Sequence, residues 1–376
     1  ALEGVDQGMA SITLRGLDHA STLLLVNSKR HTFAGTPSNQ GEGYIDINII
    51  PEIAIKQIEI LKEGATSLYG SDAVAGVVNV LTQKDFEGFK LRINNFETSN
   101  YSQRDKSLGL LVGSNYKSGS YVFGLNMLQR SSLSASEIPE IAELGLSGLG
   151  KTFKISADDT VSNGLYSGNY NANQFVPDPQ CEANGGVLDG SFCRFLYGTR
   201  FNIVNDEDHS KAYANLSFER SSYVYEITFM GSAVKVNDNP QSPSYPALPF
   251  LSRQIQPDQG GNPFNVPVTW YGRPLGSEFD SPYSPKDIKQ YNLSQTLNTN
   301  ISESTELEAS LTISSHSNDH YRPDIIDSKF LEALNGTTMG QSNGTITYWN
   351  IFDSSQNTQE LIDYVSRALV DLPDGV

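Results

Sequence analysis

Long hydrophobic runs and basic residues are both scarce in this chain. No stretch approaches the ~20 apolar residues that a membrane-spanning helix requires; the best candidate is Leu23 to Val26. Only 26 of the 376 residues are Lys or Arg, against 43 Asp or Glu, which gives a formal net charge of −17. An acidic surface repels phosphate backbones, so we expect no nucleic-acid partner. The sequence therefore excludes a helical membrane protein and argues against a DNA- or RNA-binding protein.

Cysteine is rare as well, with only Cys181 and Cys193 in the chain. An isolated pair that closes a short loop is typical of a disulfide formed in an oxidising compartment. Two free thiols or half of a metal site are the alternatives, although the separation is not usual for zinc ligands. We predict a Cys181–Cys193 disulfide. The first residues lack the basic and apolar regions of a signal peptide, so either a signal was processed away or, as we expect, the fragment begins inside a longer protein.

The first part of the chain, residues 1–85, has mixed character. Short apolar runs, such as Leu23 to Val26 and Val77 to Leu81, are separated by Gly, Asp and Pro. Between them, Pro51 to Gln57 is a candidate short helix, because Pro suits the first helical turn. We predict a small α+β domain here.

From residue 86 onward the pattern changes to strict alternation. In Tyr291 to Ile301, for example, every even position is polar and most odd positions are apolar. Successive side chains of a strand point to opposite faces, so such segments predict strands with one apolar and one polar face. About seven strands are expected by this criterion. They are Phe89 to Ile93, Leu108 to Val112, Tyr121 to Met127, Ser210 to Phe218, Tyr223 to Ala233, Tyr291 to Ile301 and Leu307 to Ile313.

The connections between these strands alternate between very short and very long. Residues 116–119, 219–222 and 302–304 are tight turns, whereas 131–208 and 236–287 are long and rich in Pro, Gly, Ser and Asn. Segregation of short turns and long loops to opposite ends is typical of outer-membrane barrels. A soluble β-sandwich is the alternative, and it has no reason to sort its connections in this way. We predict a transmembrane antiparallel β-barrel.

One segment resembles a known family. Pro51 to Gln83, PEIAIKQIEILKEGATSLYGSDAVAGVVNVLTQ, is similar to the plug-domain motif of TonB-dependent receptors. Two earlier segments are also similar to the family: Ile12 to Leu17 resembles its "LRG" strand, and Thr22 to Arg30 resembles its "TLVLVDGRR" stretch. Asn27-Ser28 replaces the usual Asp-Gly, which should loosen that turn.

The resemblance implies a fold and a division of the chain. Family members enclose an α+β plug domain in a barrel of about 22 strands, so about seven strands make this sequence a fragment of a larger chain. Residues 1–85 would be the C-terminal part of the plug, and 86–376 the first barrel strands with their extracellular loops. In the family, plug charges such as Arg15 and Glu59 meet partners on the barrel wall. The motif residues assigned structural roles are Arg15, Gly16, Glu59, Gly64, Tyr69, Gly70, Ser71 and Gly76.

The implied function is TonB-dependent active transport of a scarce nutrient across the bacterial outer membrane. The nutrient would be an iron-siderophore, cobalamin, an oligosaccharide or a peptide, and the expected partners are the TonB–ExbB–ExbD complex and outer-membrane lipids. No bond is made or broken in the substrate, so no enzyme is expected. The alternatives are a surface receptor for oligosaccharides or peptides that works with a lipoprotein, and a passive porin-like barrel, which has no need of a plug motif.

Candidate ligand contacts follow from the same resemblance, because the family's outward-facing plug apices and barrel loops surround the ligand. Aromatic, amide and imidazole side chains there can stack on or hydrogen-bond a ligand. Solvated loops, packing contacts and membrane-interface aromatics are the alternative interpretations. The candidates are Asp18, His19, His31, Phe33, Asn39 and Tyr44 in the plug, and Tyr245, Trp270 and Tyr271 in the loops.

Metal ligands are less well indicated. His316 and His320 flank Asp319, but their position at a strand end does not require a metal. The run Asn205 to Asp208 offers hard oxygens suited to Ca²⁺ in an extracellular loop, with a solvated loop as the alternative. We assign no metal site and no cofactor, and keep Ca²⁺ only as a candidate at this run.

Overall fold

The computed structural model describes residues 8–38, 41–64, 66–238, 254–273, 276–277, 280–281, 283–325 and 369–373. Within these ranges no helix is long and apolar enough to cross a membrane. The α-helices found there, α1 (Thr66–Tyr69) and α2 (Pro139–Ala142), each have four residues. Short 3-10 helices span His19–Ser21, Ile47–Ile49, Glu52–Ala54, Ser71–Ala73, Ala135–Glu137 and Tyr197–Thr199.

Residues 8–82, called the N-terminal domain below, are built on a four-stranded sheet. Its strands are β1 (Thr22–Val26), β2 (Lys29–Arg30), β3 (Ile55–Leu61) and β4 (Gly76–Thr82), in the order β2-β1-β4-β3. β1 is buried at every position and runs parallel to β4, as expected of an apolar run covered on both faces. The predicted α+β character is confirmed.

The turn between β1 and β2 is not loosened by its departure from the family sequence. Asn27 and Ser28 both have positive φ, 51° and 64°, as a tight two-residue hairpin turn requires. Asn79 on β4 secures them: its Oδ1 accepts from the Ser28 N–H at 2.9 Å and its Nδ2 donates to Ser28 Oγ at 3.2 Å. Asn27 is tied to β4 in the same way, because its Oδ1 accepts from the Thr82 N–H at 3.0 Å.

Two other local predictions are corrected. Ile12 to Leu14 lies in irregular backbone rather than a strand, because Arg15 and Gly16 that follow it have φ of 61° and 67° and reverse the chain. The helix expected over Pro51 to Gln57 is a 3-10 turn at Glu52–Ala54, after which β3 begins at Ile55. The β-branched Ile55, Ile58 and Ile60 favour the strand over a longer helix.

The second part of the chain begins with three long strands, β5 (Gly88–Glu97), β6 (Arg104–Tyr116) and β7 (Gly119–Arg130). Small strands then occupy the first long connection: β8 (Leu133–Ser134), β9 (Leu146–Ser147), β10 (Lys151–Ile155), β11 (Asp159–Val161), β12 (Gly168–Tyr170), β13 (Phe175–Pro177), β14 (Val187–Asp189), β15 (Phe192–Leu196) and β16 (Asn202–Val204). They are followed by β17 (Asp206–Glu219), β18 (Tyr223–Asp238), β19 (Gln254–Ile255), β20 (Val268–Gly272), β21 (Lys286–Ser302), β22 (Thr305–Ile325) and β23 (Leu369–Pro373).

The long strands form one antiparallel sheet of eight, in the order β23-β22-β21-β18-β17-β7-β6-β5. We call it the wall, with a turn end, where the connections are short, and a loop end. All seven predicted strands are present, and the predicted architecture of barrel wall against an α+β domain is confirmed. β23 was not among the predicted strands.

Much of what is described in the two long connections is a small β-domain at the loop end. β10 pairs with both β13 and β20, so strands from the two connections share a sheet. Phe153, Phe195 and Phe264 are at most 2 % exposed and form part of its core. The predicted disulfide is present: Cys181 and Cys193 are bonded, and both are buried in this loop domain.

Candidate functional site

The wall has one face on which large apolar side chains stand exposed. Ile93 is 70 % exposed and Leu311 59 %, values that exclude a protein core behind them. The same face carries Phe89, Leu91, Leu108, Tyr116, Tyr121, Phe123, Met127, Tyr223, Phe229, Tyr291, Ile301, Leu307 and Ile313, all at least 37 % exposed. An apolar surface this extensive marks contact with lipid or with another protein.

The opposite face is polar and buried, which inverts the usual arrangement of a water-soluble sheet. Asn215 is fully buried and Asn292 is 1 % exposed. Other buried polar residues on this inward face are His209, Lys211, Thr228, Ser232, Lys286, Gln290, Ser294, Thr296, Asn318 and His320. The alternation seen in the sequence therefore has its apolar half facing outward, as in outer-membrane barrels.

The exposed apolar band ends at a polar row near the loop end. Cross-strand neighbours in this row are Asn95, Lys106, Gln129, Asp208, Lys235, Asp287 and Asp319. On β5 the band starts at the next outward residue, Ile93, whereas on β21 the matching position is Lys289 and the aliphatic band starts at Leu293. The border thus runs obliquely across the strands, as strand tilt against a membrane plane would produce.

The N-terminal domain packs against the inward face through a shared apolar cluster. Its own members include Ile49, Ile53 and Val78, and the wall contributes Leu111, Val122, Tyr213 and Met230, all at most 4 % exposed. Tyr213 also donates a hydrogen bond to the Gln83 carbonyl at 2.6 Å and lies 2.9 Å from Thr82 Oγ1. The cluster therefore fixes the domain where the chain leaves β4.

Asp46 is the most fully bonded contact between the two parts. Its carboxylate is fully buried and accepts four hydrogen bonds: Oδ1 from the N–H groups of Ala10 and Asn48, each at 3.0 Å, and Oδ2 from wall residues Gln290 at 3.0 Å and His316 at 3.4 Å. His316 Nδ1 accepts the Gly35 N–H at 3.0 Å, so its Nε2 carries the proton that points to Asp46.

A second polar contact lies across the wall, on β17. Lys211 Nζ is 2.7 Å from Glu52 Oε1 of the N-terminal domain; the Lys211 side chain is 7 % exposed and that of Glu52 56 %. Further toward the loop end Glu207 meets His209 at 2.9 Å and Arg130 at 3.5 Å. On β7 and β17 the inward charges Arg130, Glu207, His209 and Lys211 thus each have a partner of opposite sign or a hydrogen-bond partner.

Of the predicted ligand contacts, the structure brings His19 and Tyr44 together, with their ring centroids 5.7 Å apart. His19 Nδ1 bonds Ser11 Oγ at 2.7 Å, while Tyr44 is only 4 % exposed and its hydroxyl donates to a methionine sulfur. Phe33 packs beside Gly43 but is 56 % exposed. Asp18 is exposed and accepts a hydrogen bond from Ser21. These residues remain candidates, with Phe33 and Asp18 the most available to a ligand.

His31 lies apart from that group, at the boundary with the wall. It lines a small space with Glu226, Asn292 and Lys29. Burial lowers the pKa of His31 to about 4, so the ring is neutral at neutral pH. It is placed to respond to contact between the two parts of the molecule rather than to a ligand at the loop end.

Of the remaining ligand candidates, two lie outside the described residues and two pack in the loop domain. Asn39 and Tyr245 lie outside the described residues. Trp270 is 5 % exposed in the core of the loop domain, and the Tyr271 ring packs edge-on against Phe175 at 5.5 Å. The packing interpretation is therefore favoured for Trp270, and the sequence could not separate it from ligand contact.

Among the described residues, the motif charges Arg15 and Glu59 have hydrogen-bond partners within the N-terminal domain. Arg15 donates to the Lys62 carbonyl, and Glu59 accepts from Asn79 at 3.1 Å. Both charges are exposed in this chain.

The motif glycines Gly64, Gly70 and Gly76 lie where a side chain would crowd a neighbouring carbonyl or where φ is positive. A Cβ on Gly76, which has φ +140°, would lie 2.4 Å from the Leu61 carbonyl oxygen, and one on Gly64 would lie 3.2 Å from the Val74 carbonyl oxygen. Gly70 has φ +85°. Tyr69 offers its carbonyl to Arg30, and Ser71 donates to Asp72 at 3.1 Å. The Arg30 hydrogen bond holds the pKa of Asp72 below its ordinary value.

The metal candidates are not assembled among the described residues, which contain no cluster of three or more potential ligands. His316 and His320 bond to Asp46 and Ser284 respectively. In the run Asn205 to Asp208, Asn237 Nδ2 bonds both Asp206 and Asp208, whereas Glu207 faces inward to His209. The carboxylates thus divide between the two faces of a strand.

Comparison with known proteins finds a family match to the N-terminal part of the chain and a relative of similar sequence. The model of the family described as "TonB-dependent Receptor Plug Domain" matches residues 3–77. An iron-regulated outer membrane virulence protein of Vibrio cholerae is 35 % identical over 99 residues, which is 26 % of this chain and 15 % of that protein.

Solved structures with a similar arrangement include two siderophore receptors. A mutant ferric enterobactin receptor (PfeA) of Pseudomonas aeruginosa, in complex with enterobactin, aligns over 83 % of this chain and 35 % of its own, with 15 % identity and a TM-score of 0.47. The siderophore receptor PirA of Acinetobacter baumannii aligns over 89 % and 46 %, with 15 % identity and a TM-score of 0.36. The chain thus spans less than half the length of each protein named here.

Proposed function

We propose, from the match of residues 3–77 to the plug domain of TonB-dependent receptors, that the chain is part of an outer-membrane importer of ferric chelates. The choice of iron rests on the iron-regulated relative, which shares 35 % identity over 99 residues. TonB, energised by ExbB–ExbD, would act on the N-terminal domain. The import needs no covalent chemistry, so we assign no catalytic residue.

The observation that carries the proposal is the inverted sheet. Its apolar face is exposed and its polar face is buried against the N-terminal domain. In water this arrangement is unfavourable, because each Å² of apolar surface that stays exposed loses the roughly 25 cal/mol of free energy that its burial would contribute. Outer-membrane lipid around the outward face would remove that cost, and the loop end would then lie outside the cell.

The ligand would bind at the loop end, against the N-terminal domain. The segment that holds Phe33 reaches β22 through the Gly35–His316 hydrogen bond and through Asn318 Nδ2, which donates to Thr36 Oγ1 at 2.7 Å. Asp18, His19 and Phe33 are the proposed ligand-facing group, with the buried Tyr44 packed against the His19 ring. A soluble ligand arriving from outside would meet this group before any other part of the domain.

Uptake of radiolabelled iron by cells that carry the full-length receptor tests the proposal. We expect accumulation from a ferric tris-catecholate or a ferric tris-hydroxamate, which stops when the receptor gene is deleted or TonB is absent. Binding at the cell surface should persist without TonB, since only translocation consumes energy. Iron accumulation that is independent of TonB would contradict the proposal, and so would a growth defect confined to oligosaccharides as carbon source.

A further inference from the structure

We propose that the inward face of β5, β6, β7 and β17 carries a transit site for a negatively charged solute, in which Lys211 and Arg92 are the recognising cations. The inference rests on the proposed import function and adds the charge class of the cargo and the side of the wall along which it passes. It is carried by a cavity, a buried cation and the nature of that cation's present partner.

The cavity lies between the N-terminal domain and the wall and has a volume of about 220 Å³. It is lined mainly by residues with hydrogen-bonding side chains: Glu52, Arg92, Asn94, Asn126, His209 and Lys211. Of these, only Glu52 belongs to the N-terminal domain. Movement of that domain would therefore enlarge the space without removing its polar wall.

Lys211 is the reason to expect an anion there. Its side chain is 7 % exposed, and its ammonium group pairs with the Glu52 carboxylate at 2.7 Å. Displacement of the N-terminal domain would withdraw Glu52 and leave the Lys211 charge unpaired in a shielded position, which is costly. An oxyanion of the passing solute would take the place of Glu52 and remove that cost.

Arg92 adds a second cation to the same space. Its neighbour Asn94 turns inward to bond Ser107 Oγ at 3.0 Å, and Arg92 lies two residues away on the same face of β5. Among the described residues Arg92 has no ion-pair partner. The lining thus holds two full cations against one carboxylate, so it favours an anionic chelate over a cationic or uncharged one.

The decisive comparison is between the two partners of the ion pair. Lys211→Gln and Glu52→Gln both break the contact between domain and wall, but only Lys211→Gln removes the wall cation. Arg92→Gln removes the second cation, and Lys106→Gln is the matched control, since it removes a charge from the outward face of β6. All four changes would be made in the full-length receptor in cells, with energy-independent surface binding measured as a check on folding.

The readout is the initial rate of iron uptake from a negatively charged ferric tris-catecholate and from an uncharged ferric tris-hydroxamate. We expect uptake of the catecholate alone. Lys211→Gln and Arg92→Gln should each slow it about tenfold, Glu52→Gln should leave it unchanged or faster, and Lys106→Gln should have no effect. Surface affinity should stay unchanged in all four variants.

Three results would overturn the inference. Equal slowing by Lys211→Gln and Glu52→Gln would show that the pair only holds the domain in place. Wild-type uptake of the uncharged chelate alone, or unchanged uptake in Lys211→Gln, would contradict the transit site for an anion but not the proposed import function. Uptake of neither chelate by the wild type would instead overturn the proposed function, and this inference with it.

Discussion

Asp46 offers the sharpest test of how the N-terminal domain is held. Its buried carboxylate accepts four hydrogen bonds, two from backbone N–H groups of its own domain and two from the wall. Asp46→Ala would leave all four donors without an acceptor, at about 1 kcal/mol or more each, hence about 4 kcal/mol in total. Asp46→Asn keeps a side-chain oxygen that accepts from the two backbone N–H groups, but it places an NH₂ donor against the donors of Gln290 and His316. About half of the loss in Asp46→Ala is therefore expected.

The assay is amide hydrogen exchange of the full-length receptor in detergent. In Asp46→Ala, the protection of the Ala10 and Asn48 amides should fall about a thousandfold, because 1.4 kcal/mol corresponds to a factor of ten. Adding Gln290→Glu to Asp46→Asn should recover part of the protection, since an acceptor then faces the new NH₂. Equal losses in the Ala and Asn variants, or unchanged protection in both, would refute the reasoning.

Three further outcomes are expected. Gly76→Ala should lower the stability of the N-terminal domain by more than about 2 kcal/mol, since φ at this position is +140° and the new Cβ would overlap a carbonyl of β3. Gly16→Ala should lower it by about 1 kcal/mol, because φ is +67° but the space around the new Cβ is open. Unfolding monitored by hydrogen exchange compares the two variants. The pKa of His31 is about 4 in the folded domain against an ordinary 6.5, so the unfolded chain binds the proton at a higher pH than the folded one. The stability of the domain should therefore fall by about 3 kcal/mol as the pH drops from about 6.5 to about 4. Thermal unfolding measured against pH should show this dependence in the wild type and lose it in His31→Gln. Replacing Cys181 and Cys193 by Ser should destabilise the loop domain by about 3 kcal/mol, seen as faster proteolysis of the loops with the wall unchanged.

The wall could be predicted from the sequence because its signal is local. Alternation along Tyr291 to Ile301 follows from side-chain geometry within one strand and needs no knowledge of neighbours. The disulfide was predictable for a similar reason, since Cys181 has only one possible partner. The loop domain was not, because its sheet joins Phe153 on β10 with Trp270 on β20, and no local pattern reports a pairing over that distance.

The site was predicted less well than the fold for a physical reason. Aromatic and imidazole residues such as Phe33 and His31 were chosen for their chemistry, but burial decides whether they are available to a ligand. Asp46 and Lys211 were overlooked because each is one polar residue among many, and its importance comes from partners elsewhere in the chain. The alternation did mark Lys211 as a polar position of a predicted strand, but only the fold shows that it meets the N-terminal domain.

The interface between the N-terminal domain and the wall combines polar and apolar contacts, which differ in the free energy needed to separate them. A hydrogen bond such as that from Lys29 Nζ to Thr296 Oγ1, at 2.7 Å, can be exchanged for one to water, so its net loss is about 1 kcal/mol. Buried apolar area has no such substitute and costs about 25 cal/mol per Å² to expose. The apolar cluster around Tyr213 lies beside the connection from β4 to β5, whereas polar contacts occupy much of the remaining inward face. In the proposed import function, this distribution would keep the C-terminal connection of the domain attached to the wall while its other contacts exchange with water.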